Sequence, residues 1–255
     1  MSNDLCSKKI IMLTRPYGQA YGMIELVRKL GWPAYNEPIV EIEPTAGPAG
    51  WSPNLAAIAV TSPNGARCLE SVAGLARTIP VFAVGSATAD ELRLRGFSNI
   101  DVSDGTAQTL IQRLTKRMPR HIGVIAHVSG EHIACDIAAE LSARGYRSIR
   151  VVVYRANLRQ TLTETGQVLC RTNQIGGVIC MSKRIAAQLT VLLRKHQQMQ
   201  ILQSVPAVAM SLPIADQLHQ DGWRKIRVAS EPSMAATLDA LAMKNRAKSW
   251  LRAPN

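Results

Sequence analysis

The strongest constraint on this chain is that it is written twice. Residues Lys9–Pro16 (KIIMLTRP), a helix-like stretch ending LVRKLGW and the segment EPIVEI find a counterpart in HIGVIAHVSG, a stretch ending LSARGY and IRVVVYR. A second pair follows: AAIAVTSPNG with IPVFAVGSATADELRLRGF and SNIDV, against GGVICMSKR with VPAVAMSLPIADQLHQDGW and RKIRV. Pro80 matches Pro206, Ala89-Asp90 matches Ala215-Asp216, and Gly96-Phe97 matches Gly222-Trp223. Gly31 and Gly145 close equivalent helices where a left-handed residue is wanted. Self-similarity on this scale means one supersecondary plan used twice, so two similar domains are expected.

The short runs AIAVTS, VFAVG, GVIAHVS, GVICMS and AVAMS are apolar and nearly continuous, as strands covered on both faces are. Segments between them carry apolar residues at helical spacing, so the pattern is α/β with parallel sheets. Aromatic residues make up only 4% of a chain that is 47% hydrophobic, which suits layered helices and sheets better than a β-sandwich. Glu37–Glu43 and Arg150–Asn157 follow equivalent helices but carry charge outward. They are read as the strands that cross between domains.

Net charge is +12 over 255 residues, which draws anions: nucleic acid, an acidic membrane or a polyacid ligand. The densest basic run, Lys244, Arg246, Lys248 and Arg252, reads as a solvated end rather than a nucleic-acid arm, since aromatic stacking platforms and a basic helix stripe are missing. Five scattered cysteines without C-x-x-C argue for a reducing compartment. No apolar run has membrane-spanning length and no signal segment is evident, so the protein is expected in the cytoplasm, with no membrane and no nucleic acid as partners.

In open parallel sheets, ligands gather where strands end and helices begin. Four such turns are rich in small hydroxyl residues and glycine: Thr61–Gly65, Gly85–Thr88, Ser129–Glu131 and Met181–Lys183. Helix-start amides with Ser or Thr beside them bind carboxylate or phosphate; the alternative for Ser62, Ser86 and Ser182 is an ordinary helix cap. Dinucleotide, phosphate-loop and nucleophile-elbow motifs are absent from the sequence. His127, His132 and Cys135 lie close in sequence but fit no standard zinc spacing. Asp90 and Asp216 sit in first helical turns, where the helix dipole explains them. The chain offers binding groups and few classical catalytic ones.

Taken in order, Thr14-Arg15-Pro16, L-G before EPIVEIEP, Thr61-Ser62 with Asn64, Val84-Gly85 with Thr88-Ala89, Gly130, Val153-Tyr154 and Ser182 after VICM resemble the uroporphyrinogen-III synthase family, to about residue 241. The resemblance implies two doubly wound parallel-sheet domains joined by a two-stranded ladder, with a cleft between them. It divides the chain into 1–36 plus 159–255, 43–149, and crossing strands 37–42 and 150–158. It implies cyclisation of hydroxymethylbilane, a linear tetrapyrrole with eight carboxylates, with loss of water and inversion of ring D, needing no cofactor and no metal. Tyr154 would hydrogen-bond or protonate the departing hydroxyl, or be simply a half-buried strand tyrosine. Arg15, Ser62, Asn64, Gly85, Thr88, Gly130 and Ser182 would bind substrate, with Arg15 alternatively structural. A monomer is expected, and docking of the preceding pathway enzyme stays open. Two departures stand out: Met210–Ala215 lacks the glycine and threonine of many relatives, so Ile214 is given no ligand role, and Ser129 stands where some carry Arg. A non-enzymatic two-lobed sensor of an acidic small molecule is the alternative, because fold does not fix function.

Overall fold

The computed structural model describes residues 9–45, 55–69 and 74–242; Cys6 and the basic run Lys244–Arg252 lie outside them. Elements alternate along the chain. The first are β1 (Ile10–Leu13), α1 (Tyr21–Lys29) and β2 (Ala34–Asn36). Then come β3 (Val40–Pro44), β4 (Leu55–Val60), α2 (Pro63–Cys68), β5 (Val81–Val84), α3 (Ser86–Leu94), β6 (Ile100–Ser103), α4 (Ala107–Arg117), β7 (Val124–Gly130), α5 (Ile137–Ala143) and β8 (Arg147–Leu158). Last are α6 (Glu164–Arg171), β9 (Ile175–Cys180), α7 (Lys183–Lys195), α8 (Met199–Ser204), β10 (Ala207–Ala209), α9 (Leu212–Gln220), β11 (Ile226–Val228) and α10 (Met234–Ala242). Contacts divide the chain into two compact units, with breaks at Glu41/Ile42 and Asn157/Leu158.

The discontinuous unit holds a five-stranded sheet in the order β11-β10-β9-β1-β2, paired in parallel. Alternation along β1 sends Met12 into one core, with Trp223, Leu189 and Val178, and sends Ile11 and Leu13 into the other, with Val27, Val208 and Leu241. Helices therefore cover both faces, which is why these strands read as unbroken apolar runs.

The continuous unit holds a six-stranded sheet in the order β3-β8-β7-β4-β5-β6. Ile58 and Val60 of β4 face one core while Ala57 and Ala59 face the other. Strand β8 runs for twelve residues, and Arg147–Tyr154 pair in parallel with β7 as part of this sheet. Exposed and partly buried positions alternate at both ends of β8, around the buried Val151 and Val153, so its segment reads as charged even though it is built into the unit. Glu37, expected in an outward-facing crossing strand, is fully buried, and β3 begins only at Val40.

The duplicated helix ends share one device. Trp32 N donates to Val27 O and Gly31 N to Arg28 O, and the same pair of bonds recurs at Gly145-Tyr146, Gly96-Phe97 and Gly222-Trp223. All four glycines have φ between 81° and 92°, a region that a side chain resists. The aromatic after each glycine turns back onto the core, and Phe97, Tyr146 and Trp223 are buried. Trp223 also donates its indole N–H to Thr190 Oγ1 at 2.9 Å. Each buried ring of this kind contributes roughly 2–3 kcal/mol, so the Gly-aromatic pair both ends the helix and anchors it.

Candidate functional site

In the continuous unit, three of the expected residues meet. Tyr154 lies on β8 directly opposite Gly130 of β7, just past a register shift between Ser129 and Gly130. The Tyr154 ring rests on the Gly130 backbone: a Cβ at position 130 would stand 2.5 Å from Cζ and 2.9 Å from the phenol oxygen. The phenol oxygen reaches Ser62 Oγ at 3.1 Å. Ser62 caps α2, where its Oγ accepts the Gly65 N–H at 3.1 Å. With one lone pair so used, the hydroxyl keeps its proton to give to, or a second lone pair to take from, Tyr154. Ser62 is thus both a cap and a tyrosine partner.

Arg150, which sequence reasoning did not single out, fastens this corner. Its guanidinium donates to Ser129 Oγ at 3.1 Å, Gly130 O at 2.9 Å and Glu131 O at 2.6 Å. The Gly130 carbonyl is therefore engaged and its residue buried. Gly130 supplies room for the tyrosine ring, a clearer role in this structure than the loop position expected. Asn64 is the second residue of α2. Gly85 opens α3 at φ 74°, and this helix start has no side-chain cap. Thr88 lies in the same turn but is only 2% exposed, so the hydroxyl this turn presents to solvent is that of Ser86.

His127, on β7 and paired in register with Arg150, is fully buried, and neither ring nitrogen has a hydrogen-bond partner. Burial pushes its pKa down to about 4, against the pull of Asp136, whose carboxylate lies 3.8 Å away. Among the described residues, no three His, Cys, Asp or Glu side chains are placed to hold a metal ion.

In the other unit, Ser182 is the first residue before α7, and its side chain makes no cap bond. Lys183 and Arg184 follow, both exposed, in a first turn that carries no acidic residue. Cations at the positive end of a helix dipole raise each other's need for an anion. The equivalent start of α9, at Ser211, is also without a side-chain cap, and Ile214 is buried. Arg15 is tied to Asn36 by two main-chain bonds, N to Oδ1 at 3.1 Å and O from Nδ2 at 3.0 Å, and its guanidinium touches Met181 Sδ at 3.4 Å.

A second cluster escaped sequence reasoning. The buried Glu37 carboxylate accepts from Thr163 N at 2.8 Å, Thr163 Oγ1 at 2.7 Å and Tyr35 Oη at 3.3 Å. Tyr35 Oη and Thr163 Oγ1 are 2.6 Å apart, and burial, with the adjacent carboxylate, raises the phenol pKa. Pro38 and the charge pattern of EPIVEIE disguised this glutamate as a surface residue.

The family model described as HEM4, uroporphyrinogen-III synthase HemD, matches residues 22–239. The chain belongs to the uroporphyrinogen-III synthase family. The uroporphyrinogen-III synthetase of Helicobacter pylori 26695 is similar in fold, at TM-score 0.59 and 17% identity, covering 92% of this chain and 98% of that one. A mutant uroporphyrinogen-III synthase of Thermus thermophilus aligns at TM-score 0.48 and 18% identity, over 91% of this chain and 97% of that one. No curated protein sequence matches. Among the described residues of this family member, no helix is long and apolar enough to cross a membrane. Within the family frame, Tyr154, Ser62 and Gly130 form one contact group, and Gly85 and Thr88 lie at the α3 start.

Proposed function

We propose that this member of the uroporphyrinogen-III synthase family cyclises hydroxymethylbilane to uroporphyrinogen III with inversion of ring D. The observation that carries the reading is the Tyr154–Ser62 pair set against Gly130, in a chain that the family model matches over residues 22–239. Tyr154 gives its hydroxyl proton to the terminal hydroxyl of the substrate, and the carbon–oxygen bond breaks as the pyrrole nitrogen supplies electrons. Water leaves and an azafulvene remains. The substituted α-carbon of the last pyrrole attacks the azafulvene's methylene carbon and forms a spiro intermediate, which fragments and recloses with the ring turned over. The proton shed on rearomatisation restores the phenol.

Linear tetrapyrroles of this kind also close unaided to the symmetrical isomer. The protein's work is then mostly geometric: it holds two ends so that the other closure wins. Ser62 supports this by fixing the phenol through a hydroxyl that its own helix start already orients. The uncapped starts of α3 and α7, with Lys183 and Arg184 beside the latter, suit the substrate's acetates and propionates. A net charge of +12 raises the local concentration of an octa-anion.

The test is product analysis. The protein is incubated with freshly generated hydroxymethylbilane, the products are oxidised, and the porphyrin isomers are separated. Isomer III in excess over the uncatalysed background supports the reading; only isomer I ends it.

A further inference from the structure

Three of the chain's five tyrosines meet at one place. Tyr17, Tyr21 and Tyr35 line a cavity of about 360 Å³ in the discontinuous unit, with Asn36, Arg159 and Thr163 among its polar lining. The position follows from the fold. Tyr17 lies in the turn after β1, Tyr21 opens α1 and Tyr35 sits in β2, so all three gather at the carboxyl ends of two neighbouring strands. Tyr17 is 81% exposed and Tyr21 66% exposed, although aromatics are scarce in this chain. Rings left in solvent together at a concavity are a binding surface rather than core. Tyr35 is the fixed wall, because its phenol is held by Thr163 and Glu37.

The charge of the lining is one-sided. Among the described residues no carboxylate lines the cavity, and Glu37 behind it gives its oxygens to Thr163 and Tyr35. Arg159 has its backbone committed: its N–H donates to Ile39 O at 3.0 Å and its carbonyl accepts from Gln188 Nε2 at 2.7 Å. Its side chain is not committed. Among the described residues the guanidinium has no hydrogen-bond or ion-pair partner, and its Nε is buried. A positioned guanidinium beside aromatic walls suits a flat ring that carries a carboxylate.

Size decides how much of such a ligand fits. Small-molecule pockets run from about 300 to 1,000 Å³, and this one is near the lower end, with room for one substituted five-membered ring and not for four. We propose that this cavity holds a single pyrrole ring of the linear tetrapyrrole, against the three tyrosines, with one of that ring's carboxylates on Arg159. The inference rests on the synthase reading for the identity of the ring, and it adds a ring-holding site distinct from Tyr154 and Ser62.

The experiment uses the full chain and a monopyrrole bearing an acetate and a propionate on adjacent carbons, one quarter of the proposed substrate. Saturation-transfer NMR reports whether its side-chain methylene protons lie against the protein, and titration gives the affinity. The proposal expects binding to wild type, about tenfold weaker in Arg159→Gln and about tenfold weaker in the double variant Tyr17→Ser/Tyr21→Ser, each a change of about 1.4 kcal/mol. Tyr17 and Tyr21 are exposed, and thermal unfolding of each variant verifies that the fold persists. The dimethyl ester of the same pyrrole should bind wild type and Arg159→Gln alike. Absence of saturation transfer, or equal affinities in wild type and both variants, overturns the proposal. The isomer assay on wild type is read separately. Pocket binding without isomer III counts against the synthase reading alone, and isomer III formation without pocket dependence counts against this inference alone.

Discussion

Replacing Gly130 with alanine tests the packing that holds Tyr154 in place. The added methyl would stand 2.5 Å from Cζ, 2.6 Å from Cε2 and 2.9 Å from the oxygen of the Tyr154 ring. Carbon atoms in contact prefer about 3.5–4.0 Å, so the ring must retreat by about 1 Å. The retreat is not free, because the phenol is bonded to Ser62 at 3.1 Å and Glu131 N donates to Tyr154 O at 3.0 Å. Overpacking of this kind costs about 1–3 kcal/mol, which in a chain of this size lowers Tm by roughly 2–4 °C per kcal/mol. The catalytic effect should match the upper end of the stability effect, since a misplacement of about 1 Å can cost about a hundredfold in rate, or about 2.7 kcal/mol. Isomer III formation and thermal unfolding are measured for Gly130→Ala, for Tyr154→Ala and for the double variant. In the double variant the methyl meets no ring, so its stability should equal that of Tyr154→Ala. A Gly130→Ala protein with wild-type Tm and wild-type turnover would refute the packing, and with it the claim that the ring's position matters.

Three further expectations follow from the same structure. Tyr154→Phe should lower isomer III formation by about a hundredfold or more, the usual range for a lost proton donor; a loss below about threefold removes the donor role, and Ser62→Ala should give a smaller loss of the same kind. Glu37→Ala strips Thr163 N, Thr163 Oγ1 and Tyr35 Oη of their acceptor, and bonds to a charged group are worth about 1.5–3 kcal/mol each, so urea unfolding should show a loss of about 3 kcal/mol or more; an unchanged midpoint would mean that the buried carboxylate holds nothing. His127 is one pH-dependent element: its pKa falls from 6.5 to about 4 on folding, so between those values the unfolded chain binds the extra proton and stability drops as pH falls. At about 1.4 kcal/mol per pH unit, roughly 3 kcal/mol disappears by pH 4, and His127→Gln should flatten that part of the stability curve, whereas parallel curves would place the titration elsewhere.

The parallel α/β character was legible because the inner strands β1, β4, β7, β9 and β10 are covered on both faces, and such strands announce themselves as short apolar runs. The helix ends were legible for a similar reason: Gly followed by an aromatic is a local device, and Gly31, Gly145, Gly96 and Gly222 all adopt the left-handed conformation. What was not legible is where charge is spent internally. Glu37 looks like a surface residue in EPIVEIE, and only a partner 126 residues away, the cap of α6, reveals it as buried. Arg150 is likewise invisible as a clamp, because two of its three acceptors are carbonyl oxygens of a turn about twenty residues earlier, and backbone acceptors leave no mark in sequence. Tyr17, Tyr21 and Tyr35 lie close enough in sequence to have been noticed together. Their convergence depends on α1 folding back along β1 and β2, and helical periodicity alone does not give that direction.

Duplication also clarifies what the helix starts do. Ser62 and Ser182 occupy equivalent turns after equivalent strands, so a purely structural role predicts equivalent bonding. They differ. Ser62 caps its helix and meets Tyr154, while Ser182 makes no cap bond and is followed by Lys183 and Arg184. The scaffold copies kept the core positions and changed the turns, as expected where packing constrains one and a ligand constrains the other. A serine that caps nothing, at the positive end of a thirteen-residue helix with two cations in its first turn, leaves donors that water or an anion must satisfy. Ser62, already committed to its helix and its tyrosine, has less to give an anion and more to give a proton path. On the proposed synthase reading, the two copies of one turn divide the work: one orients a hydroxyl for chemistry, and the other receives charge.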